Sequence, residues 1–344
     1  MAPVNELQLS VVYDPEEEGR GIAEVDLVLV HGFGGDFMGT WTYKEAGHNV
    51  FWPRDLLLLK QPRTRILSFG YDAGETTTAT IRDNARTMLV YLDCQRDDES
   101  RPIIFLGQCL GGLIVRQASE PFPAAMCFAK RESVYNSIAS ATQSIMFFGT
   151  PHGGGDKKGW LKLAKNYEGF GPKCRMIDVL GKNTTDLLEL DEDFCRLIND
   201  YTIVNFFEQQ PLAGTTKLIV EKWAATNTAG LEQVPVNADH LRMCQFQHAK
   251  NSTFLKICKV IRQAVLKARE KEAAAGAPLS SSASSARRPQ PLPQRRMLEP
   301  APAQHSGSSN MPWNAYSREG TPADTSPKRH RNVIQFLVAR VYSP

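Results

Sequence analysis

The sequence predicts an α/β protein built on a mostly parallel, doubly wound sheet with helices on both faces. Three observations carry this expectation. Near-continuous apolar runs alternate with segments of helical periodicity. The runs have strand length, far short of the roughly 20 apolar residues of a membrane span. Most of them end in a Gly-rich or polar turn, which gathers polar chemistry beyond the strands' C-terminal ends, where ligands bind in such sheets.

The elements follow in order. Val25–Val30 is a strand running into His31-Gly32-Phe33-Gly34-Gly35. Thr64–Tyr71 is a strand ending at Asp72. Residues 76–94 form a helix with Ile81, Ala85, Met88, Leu89 and Leu92 on one face. Ile103–Leu106 leads into Gly107-Gln108-Cys109-Leu110-Gly111-Gly112, followed by a helix over 110–119. Ser144–Phe148 runs into Gly149-Thr150-Pro151-His152-Gly153-Gly154. Residues 157–199 are mostly helical and are a candidate cap over the site. Thr202–Phe207 ends at Glu208, and Thr216–Val220 is read as a sixth strand. A last helix spans about 253–275 and turns Phe254, Ile257, Ile261 and Val265 to the core.

Two regions are expected: an α/β domain over 1–275 and a Pro/Ser/Arg-rich tail over 276–344. The tail has too little apolar surface to offset its ordering entropy, so disorder is predicted for it. It carries nine Lys and Arg against four acids from Glu272 onward, a balance of +5; the net charge of +3 therefore leaves the body at −2. Nothing in that body suggests a nucleic-acid surface. Pro327-Lys328-Arg329-His330-Arg331 fits a nuclear-localisation or anionic-surface patch, but a solvated charge run is the simpler reading. The first 20 residues lack the pattern of a secretory signal. The seven cysteines are scattered, without C-x-x-C spacing, which argues against a disulfide framework and a zinc site. Reduced thiols and a cytoplasmic location are the resulting expectation, with peripheral membrane contact left open.

The G-x-C-x-G turn between a strand and a helix has the form of a nucleophile elbow with cysteine in place of the usual serine. The helix N-terminus behind Cys109 favours a negatively charged sulfur. Acyl transfer also requires a base, an acid that orients it, and an oxyanion hole. In this order of elements the acid and then the histidine follow the nucleophile. His240, after the last strand in Ala238-Asp239-His240, is the candidate base, with His248 second. His31 belongs to its turn, His152 precedes the expected acid, and His48, His305 and His330 lie in a loop and the tail. Glu208, ending its strand, is the candidate acid. Asp239 adjoins the histidine too closely in sequence to orient its ring, and Asp178, Asp186, Asp191 and Asp193 are outside choices in the cap region. The main-chain N–H groups of Phe33 and Leu110 are the candidate oxyanion donors.

These segments resemble the serine-esterase, lipase-like family of α/β-hydrolases, which includes serine active site-containing proteins and fungal relatives. The resemblance rests on residues 28–35, 68–73, 107–112, 147–154, 206–208, 238–240 and 243–246. It implies the α/β-hydrolase fold and cleavage of a lipid or small-molecule carboxylic ester by Cys109, Glu208 and His240, without a metal or organic cofactor. The family pattern at the elbow is G-H-S-L-G-G, so Gln108 and Cys109 depart from it. An acyl-cysteine is a thioester, which reacts with amines, thiols and alcohols as well as water. Three readings stay open: an ester or thioester hydrolase, an acyltransferase using the same cysteine, and a non-catalytic binding protein of this fold.

Overall fold

Strand β1 (Gln8–Tyr13) is followed by β2 (Val25–Val30), a hairpin of β3 (Thr42–Glu45) and β4 (His48–Phe51), the short helix α1 (Trp52–Asp55), β5 (Thr64–Gly70) and α2 (Ile81–Cys94). The chain continues through β6 (Ile103–Gln108), α3 (Leu110–Ser119), α4 (Asn136–Ala141) and β7 (Thr142–Phe148). Then come α5 (Lys157–Ala164), α6 (Arg175–Val179), α7 (Thr185–Cys195), β8 (Thr202–Glu208), α8 (Lys222–Ala225), β9 (Glu232–Val236) and α9 (Ser252–Gly276). The computed structural model describes residues 8–45, 47–72, 77–119, 135–164, 175–181, 184–195, 199–226 and 231–276. These all belong to one compact unit, Met1–Ser280. The predicted disordered tail and its basic cluster, with His305 and His330, lie outside the described residues.

The main sheet has the order β1-β5-β2-β6-β7-β8-β9. Only its β1 edge is antiparallel, against β5; the other pairs are parallel. From β2 the chain first moves to β5 and then returns past β2 to β6. The connection therefore reverses beside the β2–β6 pair, the position at which sheets of this kind place their ligands, at the C-terminal ends of the strands.

Strand alternation divides the core into two layers. Val28, Val30, Phe105 and Phe147 pack under α2, α3 and α4. Leu27, Leu29, Leu106, Met146 and Phe206 face α9, with Trp41 and Trp52 filling the same layer. Both faces are covered, which explains why the central strands are apolar without interruption. At the N-terminal end of β2, Asp26 is buried and gathers Arg96 at 2.6 Å and Arg101 at 3.3 Å. The sheet thus has a charged staple at the end opposite the elbow.

Several sequence expectations change. Thr216–Val220 is a loop, although Ile219 and Val220 are buried. The edge of the sheet is instead β9, whose mostly unburied Glu232-Gln233-Val234-Pro235-Val236 carries no strong apolar signal. His48 lies in β4 rather than a loop. Helix α2 begins at Ile81 because Thr80 and Asp83 form a capping box: Asp83 N–H donates to Thr80 Oγ1 at 3.1 Å and Thr80 N–H to Asp83 Oδ2 at 2.9 Å. The described parts of 157–199 include α5, α6 and α7, whose Trp160, Leu163, Ile177, Leu187 and Phe194 join the α3 layer together with Leu180 just after α6. Among the described residues, no helix is long and apolar enough to cross a membrane.

Candidate active site

Cys109 lies between β6 and α3 with φ +52°, the one described non-glycine residue in the left-handed region. That conformation costs an L-residue about 1–2 kcal/mol and persists because the surroundings dictate it. The Cys109 N–H donates to Phe148 O at 2.9 Å, which closes the turn onto β7. The close approach of α3 to β2 requires glycine at 111: a Cβ there would stand 2.3 Å from the carbonyl oxygens of Val30 and His31. The His31–Gly35 turn folds directly over the elbow, since a Cβ on Gly32 would meet Cys109 Cβ at 2.6 Å. Phe33 is buried in that turn, and Leu110 opens α3, where a helix leaves its first N–H groups without intrahelical partners.

Glu208 and His240 come from the ends of adjacent strands. Glu208 is the last residue of β8, and His240 follows β9 by four residues. Their loops are stitched together: Gln209 N–H reaches Val236 O at 3.0 Å and Ala238 O at 3.3 Å. Both side chains are fully buried, with His240 Nδ1 3.2 Å from Glu208 Oε2 in ionic contact. The contact is off the line of a direct N–H···O bond, and neither atom has another hydrogen-bond partner among the described residues. Glu208 Oε1 accepts the Val220 N–H at 2.7 Å. The apolar run at 216–220 thus contributes a buried loop that clamps the carboxylate.

Burial opposes a charge on His240. The Glu208 carboxylate and the Cys109 sulfur outweigh that opposition and push the imidazole up to about 10. The structure therefore brings Cys109, His240 and Glu208 into one electrostatic unit in which the imidazolium is the favoured form.

The other candidates are placed elsewhere. Asp239 Oδ1 accepts the N–H groups of Leu241 and Arg242, both at 3.0 Å, and so caps its own turn. Asp178 is exposed and paired with Lys157. The side chains of Asp186, Asp191 and Asp193 lie outside the described set. His248 is exposed. His31 is stacked on Tyr71, with ring centroids 4.3 Å apart, and Tyr71 N–H approaches its Nε2 at 3.3 Å. His152 lies between Arg116, at 3.0 Å from Nδ1, and Asn205 Oδ1, at 3.2 Å from Nε2. Both rings are buried in the neutral form. Burial lowers His31 to about 4, and burial with the Arg116 charge holds His152 well down.

Three supporting residues had no role assigned to them from the sequence. Gln108 is buried and its Nε2 donates to the His240 carbonyl at 3.3 Å. Trp160 of α5 meets His240 edge to face, with centroids 6.0 Å apart, and donates its Nε1–H to Leu180 O at 2.8 Å. Gly149 abuts the same imidazole. Gly149 left a signal as the first glycine of its motif, and Gln108 as a departure from the family's elbow pattern; Trp160 left none. Among the described residues, no group of three or more His, Cys, Asp or Glu is arranged to hold a metal ion.

No protein-family model matches the chain, and no curated protein matches it in sequence. Among solved structures it is similar to a lipase-esterase related protein from Clostridium acetobutylicum, at 12% identity over 75% of this chain and 98% of the other, with a TM-score of 0.39. It is also similar to a monoacylglycerol lipase from Paleococcus ferrophilus, at 13% identity over 76% and 99%, with a TM-score of 0.41. A peroxisomal alpha-beta-hydrolase from Saccharomyces cerevisiae is similar at 11% identity over 75% and 81%, with a TM-score of 0.44. In this chain's own topology, a parallel sheet with one antiparallel edge carries a left-handed elbow after β6, a carboxylate ending β8 and a histidine after β9. Its architecture is the α/β-hydrolase fold.

Proposed function

We propose that this chain is a hydrolase of carboxylic esters or thioesters of a lipid or small molecule, working through an acyl-enzyme on Cys109. The observation that carries this reading is the strained elbow cysteine sharing one buried unit with His240 and Glu208. The Cys109 sulfur, paired with the His240 imidazolium, attacks the substrate carbonyl and forms a C–S bond. The developing oxyanion is held by the N–H groups of Leu110 and Phe33. When the tetrahedral centre collapses, the bond to the leaving alkoxide or thiolate breaks, and His240 gives that group its proton. Water then enters and loses a proton to His240 as it attacks the thioester. Collapse releases the carboxylic acid and returns the sulfur. Glu208 orients the ring throughout and stabilises its positive charge whenever it carries the proton.

A second reading, transfer of the acyl group to an amine or alcohol, follows from the nucleophile itself: an elbow cysteine forms a thioester, which those acceptors attack as readily as water. Brief treatment with a p-nitrophenyl ester, followed by intact mass spectrometry, tests both. One acyl adduct is expected, absent in Cys109→Ala; turnover is expected to be lost in Cys109→Ala and His240→Ala. Product formed only when an acceptor is added assigns transfer. No adduct, with Cys109 no faster toward iodoacetamide than the other thiols, overturns both readings.

A further inference from the structure

A cavity of about 610 Å³ is lined by segments that adjoin the supports of the acid and the base, although Cys109, His240 and Glu208 do not themselves line it. On one side it is lined by residues 154–159 and Lys162, just before and within α5; on the other by loop residues 215–219, with Glu221, and by Trp223. Val220 of that loop clamps Glu208, and Trp160, packed on Gly155, is the indole that meets His240. The cavity wall is thus linked to the imidazole through Gly155 and the Trp160 ring behind it.

The lining is unusually cationic. Lys158 and Lys162 stand one helical turn apart on α5, and Lys217 faces the same space from the loop. All three are exposed, and none forms an ion pair with a described residue. Lys157 also lines the cavity but is held by Asp178 at 2.5 Å. Two carboxylates are present. Glu221 Oε2 accepts the Trp223 Nε1–H at 2.6 Å, and Asp156 precedes α5. With Lys157 held by Asp178, three ammonium groups against two lining carboxylates leave an excess of one positive charge in a concave site. The N-terminus of α5 adds outward N–H groups, and Trp223, 39% exposed, presents a ring anchored against Gly153. Lys158, Lys162 and Lys217 line one space, and a bound anion would relieve the repulsion among them.

We propose that this cavity binds a phosphate-bearing group on the leaving side of the substrate, with Lys158, Lys162 and Lys217 as the anion ligands. This rests on the acyl-enzyme reading above and names the substrate class: an acyl ester or thioester whose leaving group carries phosphate. Two sources share this chemistry, a soluble nucleotide thioester and a phospholipid headgroup.

The test compares wild type with the combined variant Lys158→Ala, Lys162→Ala, Lys217→Ala. Turnover is measured on butyryl-coenzyme A, on dihexanoyl phosphatidic acid and on p-nitrophenyl butyrate. The preference for one phosphate-bearing substrate over the uncharged ester should fall at least tenfold in the variant, and added salt should erode it in wild type. Loss confined to the coenzyme A ester assigns the soluble thioester; loss confined to phosphatidic acid assigns the lipid. An unchanged preference for both overturns the proposal. Binding of coenzyme A and of dihexanoyl phosphatidic acid is measured in parallel by calorimetry on Cys109→Ala, with and without the three lysine changes. Lysine-dependent binding without any turnover retains the anion site and rejects the catalytic reading. Turnover with neither lysine-dependent binding nor lysine-dependent preference does the reverse.

Discussion

Val220 holds one oxygen of Glu208 through its main-chain N–H at 2.7 Å, which leaves the other oxygen facing His240 Nδ1 at 3.2 Å. The carboxylate is thereby divided between a fixed donor and the base. In Glu208→Gln, the amide oxygen must stay with Val220, so the NH2 group faces the ring and opposes an Nδ1–H. Turnover of a p-nitrophenyl ester should drop about 10³–10⁴-fold, as the wrong tautomer does in serine triads. An unchanged circular dichroism spectrum would assign the loss to chemistry.

Gln108 steadies the base through the His240 main-chain carbonyl. Gln108→Ala removes that tether while leaving the triad atoms in place. Loss of register at the imidazole should lower kcat about 10–100-fold with little change in KM. A rise in KM alone would show that Gln108 serves substrate binding instead.

Two glycines should respond to alanine in opposite directions. At Gly111 a Cβ collides with main-chain oxygens of β2 and its turn, which cannot rotate away, so Gly111→Ala should cost at least about 1–3 kcal/mol. Gly159 lies within α5 with open space around its Cβ position. Gly159→Ala should add about 0.5–1 kcal/mol through helix propensity. Urea midpoints of the two variants against wild type measure both.

Stability should fall on both sides of a middle pH range. His31 is lowered to about 4 by burial, against the partial relief of the Gly32 carbonyl and Asp36. The unfolded chain takes up this proton below its ordinary 6.5 while the folded chain does not. Its share, about 3 kcal/mol if the whole shift is realised, is present above 6.5 and lost as pH falls toward 4. His152 acts in the same direction. His240 has the opposite sign: its raised value contributes fully below 6.5 and is lost as pH rises toward about 10. Denaturant titrations at pH 5, 7 and 9 should show the maximum at the middle value; a monotonic series contradicts the assignment.

The central sheet was legible because β2 and β5–β8 are buried on both faces, so their residues are apolar whichever way they point. The edges were not. β1 is mostly half-buried and β9 mostly unburied, so neither presents a continuous run. Thr216–Val220 misled for the same reason in reverse: Ile219 and Val220 are buried by the site they support rather than by a sheet. The residues now forming the Cys109, Glu208 and His240 cluster could be picked out because chain order in this fold constrains them. Gln108 and Trp160 act through contacts between segments 132 and 80 residues apart, which no local pattern encodes.

The edge-on packing of Trp160 against His240 has a spectroscopic consequence. A charged imidazole accepts an electron from an excited indole far better than a neutral one, so the emission of Trp160 should brighten as His240 loses its proton. The difference between wild type and Trp160→Phe across an alkaline titration would isolate that signal from the other four tryptophans. The base of the proposed reaction is thus paired with its own optical indicator, readable before any substrate is known.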